Sequence, residues 1–79
     1  MRLDKYLKVS RIIKRRTVAN EACDAGRVIV NGKVARASYD IKVGDVIEIS
    51  FGTRDFKVEV VSVAETVRKD DASAMYKIV

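Results

Sequence analysis

The sequence predicts an α+β fold in which two N-terminal helices pack on a small antiparallel sheet, with a C-terminal β-hairpin extension. Three observations predict it. Apolar residues up to position 25 recur at helical spacing, whereas those from Val28 onward form β-branched runs and alternations. Gly26 stands where the first pattern gives way to the second. Seventy-nine residues, 48% of them apolar, suffice for one small domain.

Leu3, Tyr6 and Leu7 fall at i, i+3, i+4 and predict a first helix from Leu3 to Val9. Arg2, Lys5 and Lys8 lie off its apolar face. Steps of three residues drift by about 60° each on a 3.6-residue helix, so an unbroken helix would carry Arg11 opposite Arg2. A basic surface shared by all four needs a break, expected at Val9-Ser10. The connection from Ser10 to Arg15 is pinned by Ile12, Ile13 or both. A second helix is expected from about Arg16 to Ala25, with Val18, Ala19, Ala22 and Cys23 inward and Arg16, Asn20 and Asp24 outward. Gly26 suits the left-handed residue that closes such a helix.

Val28 to Val30 reads as a strand, Asn31-Gly32 as a type I′ turn, and Lys33 to about Ala35 as the return strand. Residues 37 to 43 form a loop anchored by Tyr39 and Ile41 and closed by a turn at Lys42-Val43-Gly44-Asp45. A strand from Val46 to about Phe51, a turn at Gly52-Thr53-Arg54-Asp55, and a partner strand alternating Phe56, Val58 and Val60 with Lys57 and Glu59 make a half-buried hairpin. Residues 66 to 74 read as helical or irregular, and Tyr76 to Val79 as a last strand. The five aromatic residues are dispersed, most of them expected in the core, with no pair spaced as a stacking platform for unpaired bases.

Composition excludes several kinds of function. One cysteine permits no intramolecular disulfide and no thiolate zinc cluster, and the absence of histidine removes imidazole bases and ligands. No cofactor is expected. Cys23, among alanines on its helix face, reads as a small buried hydrophobe. Charges interrupt the opening residues, and no apolar run nears the ~18 residues of a membrane span, so the chain is expected in the cytoplasm with no membrane partner.

What remains is charge. Residues 2 to 36 hold ten of the sixteen Lys and Arg residues against Asp4, Glu21 and Asp24, about +7, while residues 37 to 79 come out near −2. Charged faces are commonly just solvated, but segregation into one half points to a polyanion. Arg15 and Arg16 stand out, because guanidinium forks pair two phosphate oxygens and precede a helix whose free N–H groups attract anions. Lys33 and Arg36 flank the hairpin as further candidates. The three acids are expected to pair with neighbouring cations.

The pieces Arg2-Leu3-Asp4-Lys5-Tyr6-Leu7, Arg15-Arg16, Ala19, Gly26-Arg27-Val28, Val30-Asn31-Gly32-Lys33 and Val43-Gly44-Asp45-Val46-Ile47 resemble the RNA-binding domain named after ribosomal small-subunit protein four. The resemblance covers residues 2 to about 51, the expected core motif, and leaves a β-rich extension over about 52 to 79. It implies that two helices and the following hairpin present a basic face to structured RNA. Carried over by position, the RNA-facing set is Arg2, Lys5, Arg11, Lys14, Arg15, Arg16, Asn20, Lys33 and Arg36. Many members have a capping, phosphate-binding serine where Arg15 stands, so the helix cap is expected elsewhere, with Thr17 the candidate.

Over its full length the chain is similar to the small free-standing bacterial members, the ribosome-associated heat-shock type among them. This implies a monomeric, non-catalytic clamp that touches large-subunit rRNA and peptidyl-tRNA. It would hold the P-site tRNA while a quality-control elongation protein extends the stalled chain with alanine. Two other readings stay open: the RNA-docking subunit of a separate rRNA or tRNA modification enzyme, and a general binder of structured RNA or other polyanions.

Overall fold

In the computed structural model, which describes residues 1–64 and 68–79, helices α1 (Leu3–Val9) and α2 (Arg16–Asp24) precede strands β1 (Val28–Val30), β2 (Lys33–Val34), β3 (Val46–Phe51) and β4 (Arg54–Val60). A 3-10 helix (Lys69–Met75) then leads into β5 (Tyr76–Ile78). The strands form one antiparallel sheet in the order β2-β1-β3-β4-β5. The expected helical or irregular stretch is thus a 3-10 helix from Lys69 onward, after an extended Arg68, and positions 66 and 67 lie outside the described residues.

Local chemistry explains the borders. At the end of α2 the Gly26 N–H donates to Cys23 O and the Arg27 N–H to Ala22 O, with Gly26 at φ +77°, a paired closure that a side chain at Gly26 would strain. Asn31 and Gly32 take φ of 53° and 83° and turn β1 into β2. The β3–β4 turn is shorter than the four residues expected, because Phe51 already pairs with Arg54 and leaves only Gly52-Thr53 between the strands.

Register puts Val28, Val30, Ile47, Ile49, Val58 and Val60 on one face, where all are buried against Leu3, Tyr6, Leu7, Ala19 and Cys23. On the other face Glu48 pairs with Lys57 and Glu59 with Lys77, each at 3.6 Å, solvated pairs that add little stability.

Three expectations about packing need correction. Val18 is 48% exposed, because α2 rolls so that Ala19 and Cys23, four residues apart, face the core. Asn20, expected outward, is carried toward α1 by the same roll. Tyr39 is an exposed side chain, and the loop is held by Ile41, as expected, together with Ala35 and Ala37. Of the aromatics, Tyr6 alone is fully buried. Phe51, Phe56 and Tyr76 stand in a row, with ring centroids 6.4 and 6.1 Å apart, where antiparallel pairing brings β3, β4 and β5 side by side.

Besides this packing, one carbonyl ties the extension to the first helix by a hydrogen bond. The Met75 carbonyl accepts the Tyr6 hydroxyl at 2.7 Å and the N–H groups of Val61 and Ser62 at 2.8 and 3.0 Å. Burial and its neighbour Tyr76 push the Tyr6 phenol well above its ordinary pKa, so it stays a donor.

Candidate nucleic-acid interface

The break between the helices is built from two residues. Ser10 ends α1, its N–H donating to Tyr6 O and its hydroxyl to Leu7 O. Arg11 then takes φ +62°, a left-handed conformation that redirects the chain, and Ile13, buried, donates its N–H to Leu7 O at 3.0 Å. Ile12 packs against the core at its margin. The connection is therefore pinned by both isoleucines, while Arg11, Lys14 and Arg15 all project into solvent.

The two helix N-termini are finished differently. At α1 the Leu3 and Asp4 N–H groups donate to Tyr39 O (2.8 Å) and Ala37 O (3.1 Å), and the Lys5 N–H donates to Asp4 Oδ1 (2.8 Å). At α2 the N-cap position is Arg15, in extended conformation, which supplies no side-chain cap. Thr17 lies inside the first turn, so the cap expected from it is absent. Among the described residues, the N–H groups of Arg16, Thr17 and Val18 meet no acceptor. This end is exposed, positively polarised and flanked by two arginines.

Beside it sits a buried carboxylate. The Asp4 side chain is 3% exposed, while those of Arg2 and Arg16 are 51% and 47% exposed. Arg2 places Nε 3.2 Å from Oδ1 and Nη2 3.4 Å from Oδ2. Arg16 places Nη2 3.5 Å from Oδ1 and Nε 3.5 Å from Oδ2, and Asn20 Nδ2 donates to Oδ2 at 3.3 Å. Burial acts to raise the Asp4 pKa, but the hydrogen bonds from Arg2, Asn20, Arg16 and the Lys5 N–H together outweigh it and hold the carboxyl below its ordinary value. Asp4 is an anion with both oxygens occupied, so it serves as an anchor for cations. The depression lined by Asp4, Arg16, Thr17, Asn20 and Glu21 opens directly onto the free end of α2.

The expected site residues fall into three groups. Arg2, Arg16 and Asn20 meet on Asp4, with Lys5 next to it on α1 and Arg36 immediately before Ala37, whose carbonyl holds the Asp4 N–H. Arg11, Lys14 and Arg15 line the approach to α2. Lys33 pairs with Val30 and so lies on the helix-covered face of the sheet, at its β2 edge. Asp4 was legible in sequence only as one of three acids expected to pair with cations. Its distinguishing signal was its place, beside Leu3 at the start of an apolar helix face, where a carboxylate enters the core margin. Glu21 and Asp24, expected to pair likewise, make no ion pair among the described residues. Cys23 is buried, and burial together with the charges of Asp4 and Asp24 pushes its thiol up to about 11, the behaviour of an inert hydrophobe.

Among the described residues no helix is long and apolar enough to cross a membrane, and no group of His, Cys, Asp and Glu could hold a metal ion.

Comparison with known proteins gives a consistent result. The family model of the S4 domain matches residues 1–47. The chain is 56% identical over 79 residues to the RQC P-site tRNA stabilizing factor of Streptococcus pneumoniae, covering all of this chain and 90% of that protein. It is 50% identical over 78 residues to the factor of the same name from Bacillus subtilis, covering 99% of this chain and 91% of that one. Among solved structures, the trimeric heat shock protein 15 of Vibrio cholerae superposes with a TM-score of 0.93 at 26% identity, over all of this chain and 81% of the other.

Proposed function

The chain belongs to the S4 domain family, and on that premise we propose that it is a non-catalytic RNA-binding factor of bacterial ribosome-associated quality control. In this reading it acts in the cytoplasm on the large ribosomal subunit. It contacts rRNA and peptidyl-tRNA and steadies the P-site tRNA while a separate elongation protein adds alanine to the stalled chain. The names of the relatives at 50% and 56% identity, which span almost the whole chain, support the quality-control setting.

The observation that carries the reading is the uncapped, exposed start of α2, flanked by Arg15 and Arg16, with the Arg2 fork beside Arg16 on the shared carboxylate. A phosphate seated there receives N–H groups from the helix end and paired N–H groups from guanidinium forks. Arg11, Lys14, Lys33 and Arg36 extend the contact to further phosphates. Neutralising several phosphates releases counterions, so affinity falls steeply with salt. In this reading a monomer presents this surface whole, with the half formed by residues 37 to 79, near −2 in net charge, turned toward solvent or a protein partner.

Arg16→Ala tests the reading. The variant folds, since its side chain is about half exposed, and its association with large subunits weakens. Normal co-sedimentation of this variant at moderate salt would refute the assignment. Crosslinking in cells followed by sequencing of the attached RNA should return one large-subunit site together with tRNA. A scattered pattern would leave a general polyanion binder, and loss of an RNA modification on deletion would point to the docking subunit of an enzyme.

A further inference from the structure

Asp4 is the one buried charged residue among those described, and it lies against residues assigned above to the RNA. A carboxylate at such a place works against binding by simple attraction, since it cancels one of two positive charges where a phosphate would dock. Its geometry says what it does instead. Each guanidinium offers Nε and Nη2 to it, which fixes the plane of the fork and leaves the remaining N–H groups turned away from Asp4. The Asn20 amide and the Lys5 N–H hold the carboxylate in turn. The anchor is therefore itself anchored, from α1 and from α2.

We propose that Asp4 is a specificity-determining positioning residue: it subtracts charge from the interface and in exchange holds the Arg2 and Arg16 forks at a set spacing and orientation, so that the site favours one arrangement of phosphates over polyanions in general. The inference rests on the RNA-binding reading given above. Two consequences of opposite sign follow. Unanchored arginines adapt to any phosphate and carry an extra net positive charge, which strengthens indiscriminate binding. Anchored ones lose less rotamer freedom on meeting the matching RNA, which strengthens the specific complex.

The test uses the full chain with large ribosomal subunits and with duplex DNA as the indiscriminate polyanion, at one salt concentration and at a temperature where circular dichroism shows each variant folded. Asp4→Asn keeps the side-chain volume and removes the charge. Its affinity for subunits should fall about tenfold, the loss expected for one charge-assisted hydrogen bond, while its affinity for DNA stays level or rises. A purely structural role would lower both together, and that parallel loss overturns the proposal.

Arg2→Lys combined with Arg16→Lys keeps every charge and the exposed positions but removes the forks. It should show the same loss of preference, and it decides the matter if Asp4→Asn does not fold. In the free protein, the Arg2 and Arg16 Nε–H groups should give ordered NMR signals that average out in Asp4→Asn. Signals already averaged in the wild type overturn the proposal. A wild-type protein with no preference for subunits over DNA would overturn both this inference and the reading beneath it. A wild-type preference retained in both variants would overturn this inference alone.

Discussion

The two helices of this domain, joined by six residues of loop and left-handed turn, begin in opposite ways. The start of α1 is filled by the protein itself: loop carbonyls from Ala37 and Tyr39 take its first N–H groups, and Asp4 takes the next. The start of α2 is left open, with a cation at the capping position. An anion is thus built into one helix end and left for a partner to supply at the other. The difference also explains why the domain tolerates an uncapped helix. A missing cap costs about 1 kcal/mol, and the ion pair and hydrogen bond from Arg16 and Asn20 to Asp4 fasten the first turn of α2 by another route.

The largest effect removes the ground beneath both ends. Leu7 is fully buried between the helices and the sheet, and Leu7→Asp forces an unpaired carboxylate into that core at a cost of several kcal/mol. A domain of this size has only about 5 kcal/mol to lose, so circular dichroism should show an unfolded chain.

Next comes the occupied end. Asp4→Asn should destabilise by about 2 kcal/mol at neutral pH, as expected for loss of hydrogen bonds to a charged group. Because the folded carboxyl lies below its ordinary value, its contribution is complete above the unfolded value of about 3.9 and disappears as pH falls through the folded value. Denaturant unfolding of the two proteins should therefore differ at pH 7 and converge as pH falls below the ordinary carboxylate value. Parallel curves would show that Asp4 is not the titrating group.

The open end can be made to resemble the occupied one. Arg15→Asp supplies both a capping oxygen and a negative charge, so it should stabilise the fold by about 1 kcal/mol while weakening subunit association. Opposite signs in the two measurements would distinguish a docking end from a merely unfinished helix. A variant that gains stability and still binds normally would place the RNA contact elsewhere.

The smallest effect lies away from both ends. Tyr6→Phe deletes the hydroxyl that donates to Met75 O, but that carbonyl keeps two other donors, so the cost should be about 0.5–1 kcal/mol. Hydrogen exchange should quicken in β5 and the 3-10 helix, with subunit binding unchanged.

Much of this arrangement was legible beforehand because it is encoded over a few neighbouring residues. The spacing of Leu3, Tyr6 and Leu7, the closure at Gly26, the Asn31-Gly32 turn and the alternation through Val58 and Val60 each state their own local geometry. The break after Val9 followed from helix arithmetic alone. The placement of Arg11 in a left-handed conformation, though, came from the structure.

The sequence by itself determined the order of elements, the segregation of positive charge before residue 37, and most of the cations that form the candidate interface. Only the tertiary structure decided the roll of α2, which exposes Val18 and brings Arg16 and Asn20 to Asp4. It likewise decided the meeting of Phe51, Phe56 and Tyr76, and the convergence of three donors on the Met75 carbonyl. The physical reason is the range of the forces involved. Backbone preference and periodicity act within one or two turns of chain, whereas which flank of a helix packs inward depends on the fit of small residues and paired charges from segments brought together only by folding.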